Sequence, residues 1–158
     1  VKTADFAQLK NFNANDTDYK GRKIWQRPGV LANTDFKTLQ VIDKACEIMG
    51  CDAVLHVAYD PAGHASDSWH YKKVGTAIDY HFVSTWPYYQ QVLALETALQ
   101  RIGVFDTCGL GIYPEWRNPG FHFDLRGVWA RWGARYINGK QQYFIYQEIL
   151  ERCKRAKK

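Results

Sequence analysis

Three short segments hold the side chains most capable of chemistry: Ser68-Trp69-His70, Gly75-Thr76-Ala77-Ile78-Asp79 and His122-Phe123-Asp124. Read as a strand, residues 75–83 point Ala77, Asp79 and His81 to one face and Ile78, Tyr80 and Phe82 to the other. A carboxylate inside a strand is unfavourable to bury unless a cation or a metal meets it. His122 and Asp124 stand two apart on a second predicted strand and share a face in the same way. Two imidazoles and a carboxylate are the ligand set of a catalytic zinc, with a fourth position open to water. A further carboxylate such as Asp124 can orient a ligand histidine from behind. Histidines and aspartates in strands also serve as hydrogen-bonded core polars, and the residues alone leave both readings standing. His64 and His81 are further imidazoles near this group, and His81 shares the face of Asp79.

These side chains need a scaffold, and the pattern of the chain predicts one. Residues 1–33 are polar and irregular: a short helix near 5–12, then a wrapping arm. A helix follows from Thr34, with Asn33 or Thr34 as its cap and Phe36, Leu39, Ile42, Cys46 and Met49 as its apolar stripe. Gly50 ends it. Residues 53–59 read as a buried strand, 60–73 as a polar loop, 75–83 as a strand and 87–102 as a second helix. Residues 109–113 and 121–126 read as two more strands, 127–141 as an aromatic stretch with a turn at Asn138-Gly139, and 142–155 as a closing helix. The expected fold class is α+β, one domain over residues 1–158, with an antiparallel sheet and helices packed mainly on one face.

Composition narrows the classes further. The chain has 158 residues, 46% hydrophobic and 15% aromatic, enough for a real core and unlike a disordered chain. No run of apolar residues is long enough for a transmembrane helix. The net charge is +5, but Arg152, Lys154, Arg155, Lys157 and Lys158 supply all of it. The basic character is a tail at 152–158, so nucleic acid is not an expected partner. Cys46, Cys51, Cys108 and Cys153 contain no Cys-x-x-Cys pair, which excludes a zinc knuckle; two disulfides or four core thiols are both open.

Taken with their spacing, the three segments resemble the zinc peptidases of the M15 type, which cut peptidoglycan peptides. That family carries Ser-x-His-x-x-Gly-x-Ala-x-Asp, then an apolar-His-apolar-Asp element. Ser68, His70, Gly75, Ala77 and Asp79 match the first, and Phe121, His122, Phe123 and Asp124 the second. Gly109-Leu-Gly-Ile-Tyr113-Pro114 is similar to the lead-in of the cell-wall endopeptidase branch. Arg126 and Trp129 to Trp132 resemble the stretch after the second element in that branch. The resemblance runs from about residue 30 to 132. It implies the Hedgehog/DD-peptidase fold and one zinc on His70, Asp79 and His122. It also implies hydrolysis of peptidoglycan stem peptides or cross-links, in a bacterial cell envelope, outside the cell or in phage lysis.

The departures bear on mechanism. His70 and Asp79 are nine apart where the family has seven, which places two extra residues among 71–74; if His70 does not reach the metal from this longer loop, His64 and His81 are the alternative ligands, His81 as the main rival because it shares the face of Asp79. An arginine common after the first strand of the family is replaced by Asp60, so Arg117, Arg126 or Lys73 must substitute, or activity has drifted. The glutamate that serves the dipeptidase branch is Pro119 here, which leaves Glu115 as the expected general base, in a Tyr-x-Glu like that of the Hedgehog signalling domain. Asp124 is the next acid beside the site. Trp69, Trp116 and Arg126 are expected to meet the substrate. The rival readings are a zinc-containing binding module that has lost catalysis, and a protein without metal whose polar residues are structural.

Overall fold

The alternation along the strands becomes a sheet with one apolar and one polar side. In a computed structural model, residues 2–18, 20–62, 64, 66–72 and 75–156 are described. Six strands lie side by side: β1 Asp52–Val57, β2 Ala77–Val83, β3 Gly109–Tyr113, β4 Gly120–Asp124, β5 Ala130–Ile137 and β6 Lys140–Ile145. Their spatial order is β1-β2-β4-β3-β5-β6. Every neighbouring pair is antiparallel except β3 and β5, which run parallel with Gly109 beside Ala130 and Gly111 beside Trp132. The sheet is therefore mixed, not antiparallel as expected. The chain passes from β4 across the end of β3 to reach its far edge, and this crossing makes β5 parallel to β3.

Ile78, Tyr80, Leu110, Ile112, Phe121 and Phe123 point to one side and are fully buried. There they share a core with Leu39, Ile42, Leu95, Leu99 and Ile149 of the helices. Those helices are α2 Phe36–Met49, α3 Tyr88–Ile102 and α4 Tyr146–Arg155; a one-turn helix α1, Val30–Asn33, precedes them. The helices thus cover one face, as the pattern predicts, and the other is left for the site.

Helix ends follow local chemistry. The cap of α2 is Asp35, whose carboxylate accepts from the Lys37 N–H, rather than Asn33 or Thr34. Thr34 instead donates its hydroxyl to the Val30 carbonyl and closes α1. The expected helix near 5–12 is a 3₁₀ turn at Thr3–Gln8. The rest of the N-terminal arm wraps α2: Asp43 accepts from the backbone N–H groups of Lys10 at 3.0 Å and Asn11 at 2.7 Å. All four cysteines are free. Arg152, Lys154 and Arg155 crowd the C-terminal turn of α4, where the helix dipole favours cations.

The aromatic stretch after β4 is the second correction. Asn138 and Gly139 do form a turn, both with positive φ (52° and 75°), as a two-residue hairpin requires. What it joins is β5 and β6, so residues 142–145 are strand, and the last helix begins only at Tyr146. Among the described residues no helix is long and apolar enough to cross a membrane.

Candidate metal centre

The open face of the sheet gathers Asp79 from β2, His122 and Asp124 from β4, Tyr113 from β3, Trp132 from β5 and Tyr143 from β6. With His64, Trp69 and His70 from the β1–β2 loop, most of these line a cleft of about 460 Å³. Pairing of β2 with β4 sets Asp79 directly opposite His122. His70 reaches the same point from the loop, its own N–H held by the Ser68 hydroxyl at 3.2 Å.

Three donor atoms converge. His70 Nε2 lies 3.2 Å from Asp79 Oδ1 and 3.1 Å from His122 Nδ1, and His122 Nδ1 lies 3.0 Å from Asp79 Oδ1. The far side of each imidazole fixes what the near side can do. His70 Nδ1 donates to the Ala58 carbonyl at 2.9 Å, and His122 Nε2 donates to Asp124 Oδ2 at 2.9 Å. With those protons placed outward, His70 Nε2 and His122 Nδ1 both present lone pairs to a carboxylate, which also only accepts. Three acceptors at mutual contact repel unless a cation sits between them. The arrangement therefore fits a metal ion, and in its absence one shared proton. Burial pulls the His122 imidazolium down, but Asp124 and Asp79 outweigh burial and leave its pKa raised to about 9. Burial pushes the Asp79 carboxyl up, and the two histidines reverse that and hold it far below the usual range.

Behind His122, the arrangement is clamped. Asp124 is fully buried and takes Arg126 Nε at 2.7 Å and Arg126 Nη2 at 2.5 Å. The guanidinium lies over Trp132, 5.0 Å from the ring centroid, with Trp69 at 5.5 Å on its other flank. Two glycines of β3 make room. A Cβ on Gly109 would meet Asp124 Oδ2 at 2.5 Å, and one on Gly111 would meet Trp132 Nε1 at 2.6 Å. Only residues without a side chain let the Asp124–Arg126 pair and the indole lie flat on the strand.

Of the expected site residues, His70, Asp79 and His122 come together, with Asp124 behind them. Trp69, Trp116 and Arg126, the residues expected to meet the substrate, line the cleft, and Arg126 spends two of its donors on Asp124. Trp116 stacks on Tyr113 at 4.0 Å and donates to the Gln141 side chain at 3.0 Å. His81 does not join the centre: its Nδ1 meets His56 Nε2 at 2.7 Å, and the two rings are stacked with nearly parallel planes. Arg117 faces a neighbouring cavity, with His56 and one side of Asp79. Lys73 lies outside the described residues.

Glu115 is not brought to the site. It lies past the end of β3, where its carboxylate accepts from Arg135 Nε at 2.9 Å and from the Tyr136 N–H at 2.7 Å. It borders one cavity shared with Arg152 and Cys153, on the side of α4, and a smaller one shared with Tyr113, Trp116 and Gln141, the back of the cleft wall. Partial burial pushes its carboxyl up, but these donors hold it below its ordinary value. The carboxylate expected to accept a proton is thus bonded to Arg135 and Tyr136, and Glu115 is not among the residues that line the cleft of the centre.

Two features carry no clear signal in the sequence, and a third residue, His64, is legible there only as an alternative ligand. Gln141 and Tyr143 of β6 form the far wall of the cleft, and their alternation is hidden when 142–155 is read as helix. The Ala58 carbonyl that sets the His70 tautomer has no sequence signature. His64 lies at the centre itself: one of its ring nitrogens is within 4.8 Å of donor atoms of both His70 and Asp79, and these three side chains form a group able to hold a metal ion. Compared with known protein families, curated proteins and solved structures, the chain matches none of them.

Proposed function

We propose that this chain is a zinc-dependent hydrolase of the M15 type, acting on a peptide bond in peptidoglycan stem peptides or cross-links. The observation that carries the reading is the convergence of His70 Nε2, Asp79 Oδ1 and His122 Nδ1 to 3.0–3.2 Å beside an aromatic cleft. Two nitrogens and one carboxylate oxygen suit zinc over the harder cations, which prefer all-oxygen sites. Zinc bound there supplies a Lewis acid for the scissile carbonyl and acidifies a water near neutrality.

The chain's own residues do the rest. Ala58 and Asp124 hold the outward protons of His70 and His122, so each imidazole turns its other ring nitrogen, a lone pair, toward a bound metal. Arg126 fixes Asp124 through Nε and Nη2, which leaves Nη1 to meet a substrate carbonyl or carboxylate. Trp69, Trp116 and Tyr143 wall the cleft with flat apolar surfaces that suit sugar rings and short peptides. A cell-envelope, secreted or phage-lysis setting follows from such a substrate.

One observation favours a second reading, a zinc-containing binding module without catalysis. Both carboxylates that line the centre are committed, Asp79 to the metal position and Asp124 to His122 and Arg126, and Glu115 lies elsewhere. Mass spectrometry of muropeptides after incubation of purified peptidoglycan with the protein separates the readings. New peptide products that vanish with chelator support the hydrolase. Protein retained on the wall material without new products supports the module. Neither product nor retention contradicts both.

A further inference from the structure

A third imidazole repeats the pattern seen at His70 and His122, each of which has an oxygen behind it and a lone pair in front. His64 enters the cleft from the β1–β2 loop, and its ring lies against that of His70, centroids 4.3 Å apart and planes 26° from parallel. Behind it stands Asp60, whose Oδ2 is 3.7 Å from His64 Nδ1. Asp60 is itself held in place: Oδ1 accepts from Arg27 Nη2 at 3.1 Å, and its backbone N–H donates to the His70 carbonyl at 2.9 Å.

Distances decide how far His64 is from joining the centre. Donor atoms around a tetrahedral zinc with bonds of about 2.0–2.1 Å stand roughly 3.3 Å apart. The triad already meets that spacing. A His64 nitrogen within 4.8 Å of the His70 and Asp79 donors falls short of that spacing from those two atoms by about 1.5 Å at most, and a swing of this loop side chain must also carry it toward His122. The present position also leaves a buried polar atom unsatisfied, since His64 Nδ1 makes no hydrogen bond among the described residues. A swing that sends Nε2 to the metal while Nδ1 donates to Asp60 satisfies both ring nitrogens. It gives this histidine the carboxylate partner that metal-bound imidazoles almost always have.

We propose that His64 is the fourth protein ligand of the metal centre, closing in the substrate-free protein the coordination position that an open catalytic site leaves to water. This rests on the zinc reading of the centre and deepens it: a substrate carbonyl or a water must displace His64 to reach the metal, so the loop that carries Trp69 and His70 also carries the stopper.

The test uses the full chain, stripped of metal and reloaded with cobalt(II), whose visible bands report coordination. In the parent, the bands of a four-coordinate centre are expected to be unmoved by added azide. In His64→Ala and His64→Gln, cobalt affinity is expected to fall by about tenfold or more, and azide is expected to shift the bands as it takes the vacated position. Two variants guard against a folding defect in either, and circular dichroism of each checks it. Bands that shift with azide equally in parent and variants, with unchanged cobalt affinity, overturn the proposal. His122→Ala, run alongside, keeps the two levels apart: its loss of cobalt beside an unaffected His64 variant leaves the metal centre standing without the fourth ligand. A parent that takes up no cobalt removes both.

Discussion

The two faces of one sheet are built from the same strands and obey opposite rules. On the helix side Ile78, Phe121 and Phe123 are fully buried in the apolar core, so their contribution is packing and area removed from water. On the open side Asp79, His122 and Asp124, their immediate neighbours in sequence, are ordered by hydrogen bonds that leave one set of acceptors facing inward. The first face holds the fold together irrespective of ions. The second holds acceptors that repel one another unless a proton or a metal ion sits among them. Stability and function are therefore separable by residue parity along β2 and β4, and substitutions on the two faces should fail in different ways.

The largest effect belongs to the helix face. Phe123→Ala should destabilise the chain by about 3–5 kcal/mol through lost burial and a residual cavity. Chemical denaturation should show this, while the folded fraction still takes up metal. If Phe123→Ala abolishes metal uptake in protein that remains folded, the two faces are not independent. Next comes the clamp on the open face. Arg126→Lys keeps the charge but cannot make the paired contact with Asp124. Metal affinity should drop about tenfold, with a melting temperature close to the parent in the metal-free state. An unchanged affinity would show that His122 is positioned without help from Arg126.

A pH experiment sharpens the contrast from another side. In the metal-free protein His122 has a folded pKa raised to about 9, by Asp124 and Asp79 against the pull of burial. A raised value contributes stability that is fully present below the unfolded value near 6.5 and is lost as pH rises through the folded one. The metal-free chain should therefore lose stability between about pH 6.5 and 9, and His122→Ala should abolish that slope. In the loaded chain the metal replaces the proton, so the slope should vanish there as well, and uptake near pH 7 should release a proton that calorimetry in buffers of different ionisation enthalpy can count. The smallest effect is expected at Glu115. Glu115→Gln should leave metal content unchanged, because its partners are Arg135 and Tyr136 rather than the centre.

What the sequence made legible is what strand periodicity and motif spacing encode. Alternation set Asp79 opposite in face to Ile78, Tyr80 and Phe82 and put His122 on the face of Asp124, while the meeting of the two strands was legible only through the resemblance. Asn138-Gly139 announced its turn because few other pairs tolerate two left-handed residues. The partner strand after that turn was lost: Gln142 to Ile145 runs without a break into a helix, and its own alternation is mixed. The parallel pairing of β5 with β3 depends on where the chain crosses the sheet, which no local pattern records. Glu115 shows the limit for function. Nearness in sequence to His122 says nothing of the side on which a loop carboxylate ends, and Arg135 of β5 draws it away. His64 was visible only as a spare imidazole; its place beside His70 comes from the fold of the loop.

The most direct test of the central claim is metal content of the folded chain, measured by elemental analysis after reconstitution and removal of unbound ion. The convergence of His70, Asp79 and His122 predicts about one zinc per chain in the parent. It also predicts loss of that zinc in Asp79→Ala and His122→Ala, with both variants retaining the parent's circular dichroism. Zinc bound at full occupancy in either variant, or a folded parent that binds none, would contradict the account.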